Sequence, residues 1–95
     1  MWNSRRSGTG KSKMKYPKIK FADTNTFLQQ YFHFQEELRE VQKTTTKENF
    51  YEELADLEHS LETLIRVIER EEGVNFEEYR DKVIDKNYRR GYYEN

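Results

Sequence analysis

Apolar residues recur along this chain in three separate runs, each at steps of three or four. Phe27, Tyr31, Phe34, Leu38 and Val41 form the first, and that period predicts a helix with one apolar stripe. Asp23 or Thr24 can cap its first turn, and it should run to about Lys43. The threonines at 44–46 interrupt the pattern. Thr45 and Glu48 then have the spacing of a capping box, opening a second helix through about Glu72 with Phe50, Leu54, Leu57, Leu61, Leu64, Ile65 and Ile68 as its stripe. Gly73 is its natural stop. Asn75 caps a third helix that turns Phe76, Tyr79, Val83, Ile84 and Tyr88 inward and ends before Gly91. With no strand signal, the chain reads as all-α, an antiparallel helical bundle of about three helices per chain, its stripes facing one another in the core.

Composition limits what such a bundle can do alone. The 95 residues are 34% hydrophobic and 37% charged, so one chain has little apolar surface to set against the ordering cost of roughly 1–2 kcal/mol per residue. A homodimer or homotetramer is therefore expected to complete the bundle. Aromatics, at 15%, should carry much of the burial. The absence of Cys excludes disulfides, thiolate metal sites and Cys nucleophiles. No apolar run is long enough for a bilayer and the first residues lack a signal-peptide core, so a cytoplasmic protein with no membrane partner is expected.

The net charge of -1 hides an asymmetry, for seven Lys and Arg precede the first acid, Asp23. Residues 1–13 mix Gly, Ser and basic residues without a hydrophobic period. They read as the bulk of a flexible basic leader spanning 1–20, with the helical domain at 21–93. GTGKS within it resembles part of a phosphate-binding loop, but Arg5 stands where the full pattern needs Gly.

Two polar clusters carry the candidate chemistry. At about 100° per residue, Glu37 and Glu40 share one flank of the first stripe, and Glu53 and Asp56 share one flank of the second. Antiparallel packing can bring these flanks together. Crowded carboxylates repel, so such an arrangement implies a cation, and an all-oxygen donor set selects Mg²⁺ or Mn²⁺ over zinc. The alternative is a solvated acidic face, since Glu is a good helix former. Downstream, Lys82, Lys86 and Arg89 or Arg90 fall on neighbouring turns of one face beside Asn87, where they can clamp phosphate oxygens or simply complement the helix dipole. His33 lies one turn before Glu37 and, with Gln30, can meet a base or phosphate or be an ordinary surface residue. His59 is assigned no role.

EELRE at 36–40, followed after twelve residues by ELAD at 53–56, resembles the EExxE…ExxD signature of the MazG-like all-α nucleoside-triphosphate pyrophosphohydrolases. KNYRRGYY at 86–93 resembles the KNxxRGYY tail found among them. The resemblance covers about residues 21–93. It implies an oligomeric helical bundle that converts a (deoxy)nucleoside triphosphate to its monophosphate and pyrophosphate with Mg²⁺. By position, the family's metal ligands fall on Glu37, Glu40, Glu53 and Asp56, with Glu36 assisting the attacking water. Lys86, Asn87, Arg90 and Tyr92 match tail positions that contact phosphate or sugar. The short loop at 43–47 leaves out insertions that close over the base in larger members, so base preference stays open.

Two other readings compete with this one. A non-catalytic helical module could offer its acidic face to a basic partner, and within the enzyme class a phosphoribosyl-ATP pyrophosphatase is similar. Nucleic acid, for which the basic leader is the only candidate contact, is not an expected partner.

Overall fold

The structure is a computed structural model, and it describes residues 14–94. Among the described residues it is entirely helical: a short 3₁₀ turn at Lys20–Asp23, then α1 (Phe27–Gln42), α2 (Lys47–Glu72) and α3 (Phe76–Arg89). Residues 14–74 form one compact unit and α3 belongs to another, so each is described by itself. The GTGKS stretch and the rest of 1–13 lie outside the described residues.

Local chemistry sets the boundaries. The first helix begins later than expected, because Thr26 and Gln29, not Asp23 or Thr24, cap it. Gln29 donates its amide proton to Thr26 Oγ1 at 3.2 Å, and Gln29 Oε1 accepts from the Thr26 amide at 2.8 Å. This reciprocal pair satisfies two amides that lack helical partners. Asp23 is engaged elsewhere, in an ion pair with Lys18 at 2.9 Å. Likewise Thr46, not Thr45, caps α2 by accepting from the Asn49 amide at 3.1 Å. Thr44 closes α1 by donating to the Val41 carbonyl at 2.9 Å. Gly73 ends α2 with φ 70°, the left-handed conformation that a Cβ penalises. Asn75 caps α3 as expected, through the Glu77 amide.

α1 and α2 pack as an antiparallel hairpin. Early α1 meets late α2, with the Phe27 amide donating to Glu71 Oε1 at 3.1 Å, while late α1 meets early α2 at Glu37 and Glu53. Residues 15–25 run along α2 and are fastened to it by polar contacts. Both the Lys15 and Tyr16 amides donate to the Glu62 carboxylate, at 2.8 and 2.9 Å. Arg66 donates to the Tyr16 carbonyl at 2.9 Å, and Arg70 donates to the carbonyls of Ala22 and Asn25. Ala22 is thereby buried.

The core differs from the expected one. The buried residues of the hairpin are Ala22, Gln30, Ser60, Thr63, Leu64, Ile65 and Val67, a largely small or polar set. Of the stripe residues, Leu64 and Ile65 are buried, but Tyr31, Leu38, Leu54 and Leu61 are 40–45% exposed. At 100° per residue, the α1–α2 seam is rotated roughly a quarter turn from the apolar stripes. Leu54, Leu57, Leu61, Phe34 and Tyr51 instead line an apolar groove of about 550 Å³ on the hairpin's outside. In α3 no residue is buried: Tyr79, Val83, Ile84 and Tyr88 are exposed, contrary to their inward placement.

Candidate metal centre and adjoining pocket

The seam brings Glu37 of α1 together with Glu53 and Asp56 of α2. One carboxylate oxygen from each lies within 4.8 Å of the others. Glu53 and Asp56 sit one turn apart on α2, and the antiparallel register places Glu37 across from them. Glu53 feels this crowding. Its carboxyl is pushed above the ordinary Glu range, first by desolvation in the seam and then by the charges of Asp56, Glu37, Glu40 and Glu52. A divalent cation is the partner that would reverse that penalty, and three hard oxygen donors suit Mg²⁺ or Mn²⁺.

The remaining predicted acids stand outside this set. Glu40 lines a neighbouring cleft with Lys43, Thr44, Thr45, Asn49 and Glu53, and its carboxylate is 3.8 Å from the Lys43 ammonium. It reaches the triad through its field on Glu53. Glu36 is exposed and faces His33 Nδ1 at 3.7 Å, while His33 Nε2 lies 3.6 Å from Glu37. His33 thus sits between the leading acid and a triad member, where the spacing of four had put it.

Beside the triad, Glu37 and Asp56 open into a polar cavity of about 270 Å³, walled also by Gln30, His33, His59, Ser60, Thr63 and Ile19. His59, given no role from sequence, is one of its walls. Its ring stacks on Tyr16 with centroids 4.7 Å apart and planes at 11°, and its Nε2 lies 3.4 Å from the Pro17 carbonyl. Tyr16 donates its phenolic proton to Glu58 at 2.8 Å, which also takes a 2.8 Å contact from Lys15 Nζ. Those two bonds hold the Glu58 carboxyl below its ordinary range and raise the Tyr16 phenol above its own. Nothing in the periodicity pointed to His59. A signal would have been its i+3 offset from Asp56, but only the docked Tyr16 explains its orientation.

Lys82, Lys86, Asn87, Arg90 and Tyr92 belong to the second unit, α3 and the turn after it. Lys82 lies over the Tyr79 ring at 4.9 Å and the Arg90 guanidinium over Tyr92 at 5.4 Å. The Tyr92 amide donates to the Asn87 carbonyl at 3.0 Å, and Gly91 adopts φ 77° to make that turn. The KNYRRGYY segment is therefore a helix end closed by a left-handed glycine, with its cations exposed.

Compared with family models, curated proteins and solved structures, the chain matches none. No helix among the described residues is long and apolar enough to cross a membrane.

Proposed function

We propose that the chain is a divalent-metal-dependent pyrophosphohydrolase that converts a (deoxy)nucleoside triphosphate to its monophosphate and pyrophosphate. The observation that carries this reading is the convergence of Glu37, Glu53 and Asp56, the first and last of which also line a polar cavity. The EExxE…ExxD spacing and its resemblance to the MazG-like enzymes support it further. Glu37, Glu53 and Asp56 would hold Mg²⁺ or Mn²⁺, with Glu40 alongside. Bound there, the ion would neutralise triphosphate charge and lower the pKa of the attacking water. In the reaction a water oxygen bonds to the α-phosphorus as the bond from that phosphorus to the α,β-bridging oxygen breaks. Pyrophosphate leaves with the electron pair. The water's proton passes to a carboxylate at the rim, for which Glu36, beside His33, is the candidate. Lys82, Lys86, Asn87, Arg90 and Tyr92 are assigned to phosphate and sugar.

The exposed stripes support a homodimer or homotetramer, since four buried hydrophobic residues, Ala22, Leu64, Ile65 and Val67, are a small core for the hairpin. The groove along Leu54, Leu57 and Leu61 is the surface that a second copy would cover. The second reading is a non-catalytic interaction module that offers the same carboxylates, as an acidic face, to a basic partner. Pyrophosphate release from a panel of NTPs and dNTPs with Mg²⁺ separates the two. Equimolar monophosphate and pyrophosphate, absent with Glu53→Gln, is the expected result. A folded protein that turns over no nucleotide would leave the interaction module as the better reading.

A further inference from the structure

The cavity beside the triad has a chemical bias that its acidic rim does not explain. Gln30 is 1% exposed and lines this cavity. Its Oε1 is occupied, accepting from Asn25 Nδ2 at 3.0 Å. Its Nε2 carries two protons, and among the described residues it has one acceptor, Ser60 Oγ, at a long 3.5 Å. Ser60, 6% exposed, accepts that proton and makes no other side-chain hydrogen bond among the described residues, so its own hydroxyl proton is unspent. Thr63 differs, for its hydroxyl already donates to the His59 carbonyl at 3.2 Å. The deep wall therefore holds two spare donors, one amide N–H and one O–H, and its glutamine oxygen already accepts one bond. Buried donors without acceptors are costly, so an acceptor entering this cavity would relieve that cost.

We propose that this wall reads a carbonyl oxygen of the substrate's base, so that the cavity selects pyrimidine nucleotides over adenine nucleotides. The inference rests on the pyrophosphohydrolase reading, because the triad's Glu37 and Asp56 tie the cavity to the place where the triphosphate would be held. A phosphate group does not fit the cavity itself. Gln30, Ser60 and Thr63 are uncharged, and an anion set among them beside two carboxylates would be unpaired. A neutral ring suits it, and about 270 Å³ falls below the usual range for a whole ligand, which favours a single ring over a fused pair. Pyrimidines present O2, and uracil and thymine also O4. Adenine has no carbonyl, and each of its acceptor nitrogens N1, N3 and N7 has a single lone pair, so no one atom of it accepts from both donors. One donor is left unpaired, a loss that sites built for hydrogen bonding penalise.

The test compares kcat/KM for dUTP, dCTP, dTTP and dATP on the full chain with Mg²⁺. At least about a tenfold preference for the pyrimidines over dATP is expected. Ser60→Ala should reduce that ratio by raising KM for pyrimidines while leaving kcat nearly unchanged, and Gln30→Met should do the same. If Gln30→Met fails to fold, the triphosphate of pyrimidin-4-one deoxyriboside, which lacks the O2 that all pyrimidines share, serves on the unaltered protein and should bind more weakly than dUTP. Equal use of dATP and dUTP, or a ratio that survives Ser60→Ala, overturns the proposal. Should no nucleotide be hydrolysed, the catalytic reading is what has failed. Deoxyuridine and deoxyadenosine titrated into labelled protein then decide the cavity: shifts at the Gln30 side-chain amide with deoxyuridine alone uphold it, and equal or absent shifts overturn it.

Discussion

The seam between α1 and α2 and the outer face of the same two helices invert the usual arrangement. The seam buries polar Gln30, Ser60 and Thr63 beside Val67 and has three carboxylates at one end. The outer face is broad and apolar, with Tyr31, Leu38, Leu54 and Leu61 each at least 40% exposed. A soluble hairpin optimised only for its own stability would do the reverse. The seam buries short side chains, and at one end it crowds three carboxylates, two of them half-buried and Asp56 exposed. The face keeps the apolar area that would drive association. The acidic triad and the exposed apolar stripes thus lie on two surfaces about a quarter turn apart.

The strongest way to break this comparison is to remove the seam's charge. Glu53→Gln should lower pyrophosphate release by roughly a thousandfold or more, as expected when a metal ligand is lost. The same variant should melt at a higher temperature than the parent without metal, because it removes a carboxylate whose ionisation the seam opposes. Mg²⁺ should raise the melting temperature of the parent and leave the variant unmoved, read by calorimetry. A parent indifferent to Mg²⁺ would remove the metal from the seam.

Next in size is the outer face. Leu54→Glu together with Leu61→Glu should convert an oligomer to monomers in sedimentation at about 50 μM, since each buried leucine contributes about 1.5–3 kcal/mol to an interface. A parent already monomeric there would show that the face serves something other than self-association. Val67, fully buried in the seam, should cost about 1–3 kcal/mol as Val67→Ala. Leu61→Ala, measured in the monomeric background, should cost less. Chemical denaturation orders the two, and the opposite order would mean that the seam is not the core.

The smallest effect belongs to the docked segment before α1. The Glu58 carboxyl is held low by Lys15 and Tyr16, so its contribution is fully present above the ordinary Glu value and is lost as pH falls through the depressed one. Melting temperature followed between about pH 6 and 3 should decline, and Tyr16→Phe should flatten part of that decline. Tyr16 and Lys15 are both raised by Glu58, so their share is lost only in strong alkali. A profile identical in the Tyr16→Phe protein would remove Glu58 as its source.

Much of the secondary structure was legible along the chain. Gly73, Asn75 and Gly91 end or begin elements for local reasons, positive φ or a side-chain cap, that neighbours several residues away suffice to specify. The caps of α1 and α2 were each misplaced, because a run of threonines and polar residues offers several capping choices. Other short-range bonds compete for them: Asp23 pairs with Lys18, five residues back, and Thr44 donates to the Val41 carbonyl, three back. Among the acids, the offset of three within ELAD placed Glu53 and Asp56 on one flank, and the triad includes both. Glu40 shares the flank of Glu37 by angle yet lies one turn further along, in the next cleft.

By itself, then, the sequence determined that this protein is helical, where its helices break, and which acids could share a face, because hydrogen-bond periodicity and capping act within a few residues. Tertiary structure alone decided which face of each helix was buried. It did so because the apolar stripes and the short polar seam are both periodic at 3.6 residues, and nothing within one helix says which of them will meet its neighbour. That choice put Gln30 and Ser60 in the dark, left the leucines outside, and brought His59 to the cavity under Tyr16.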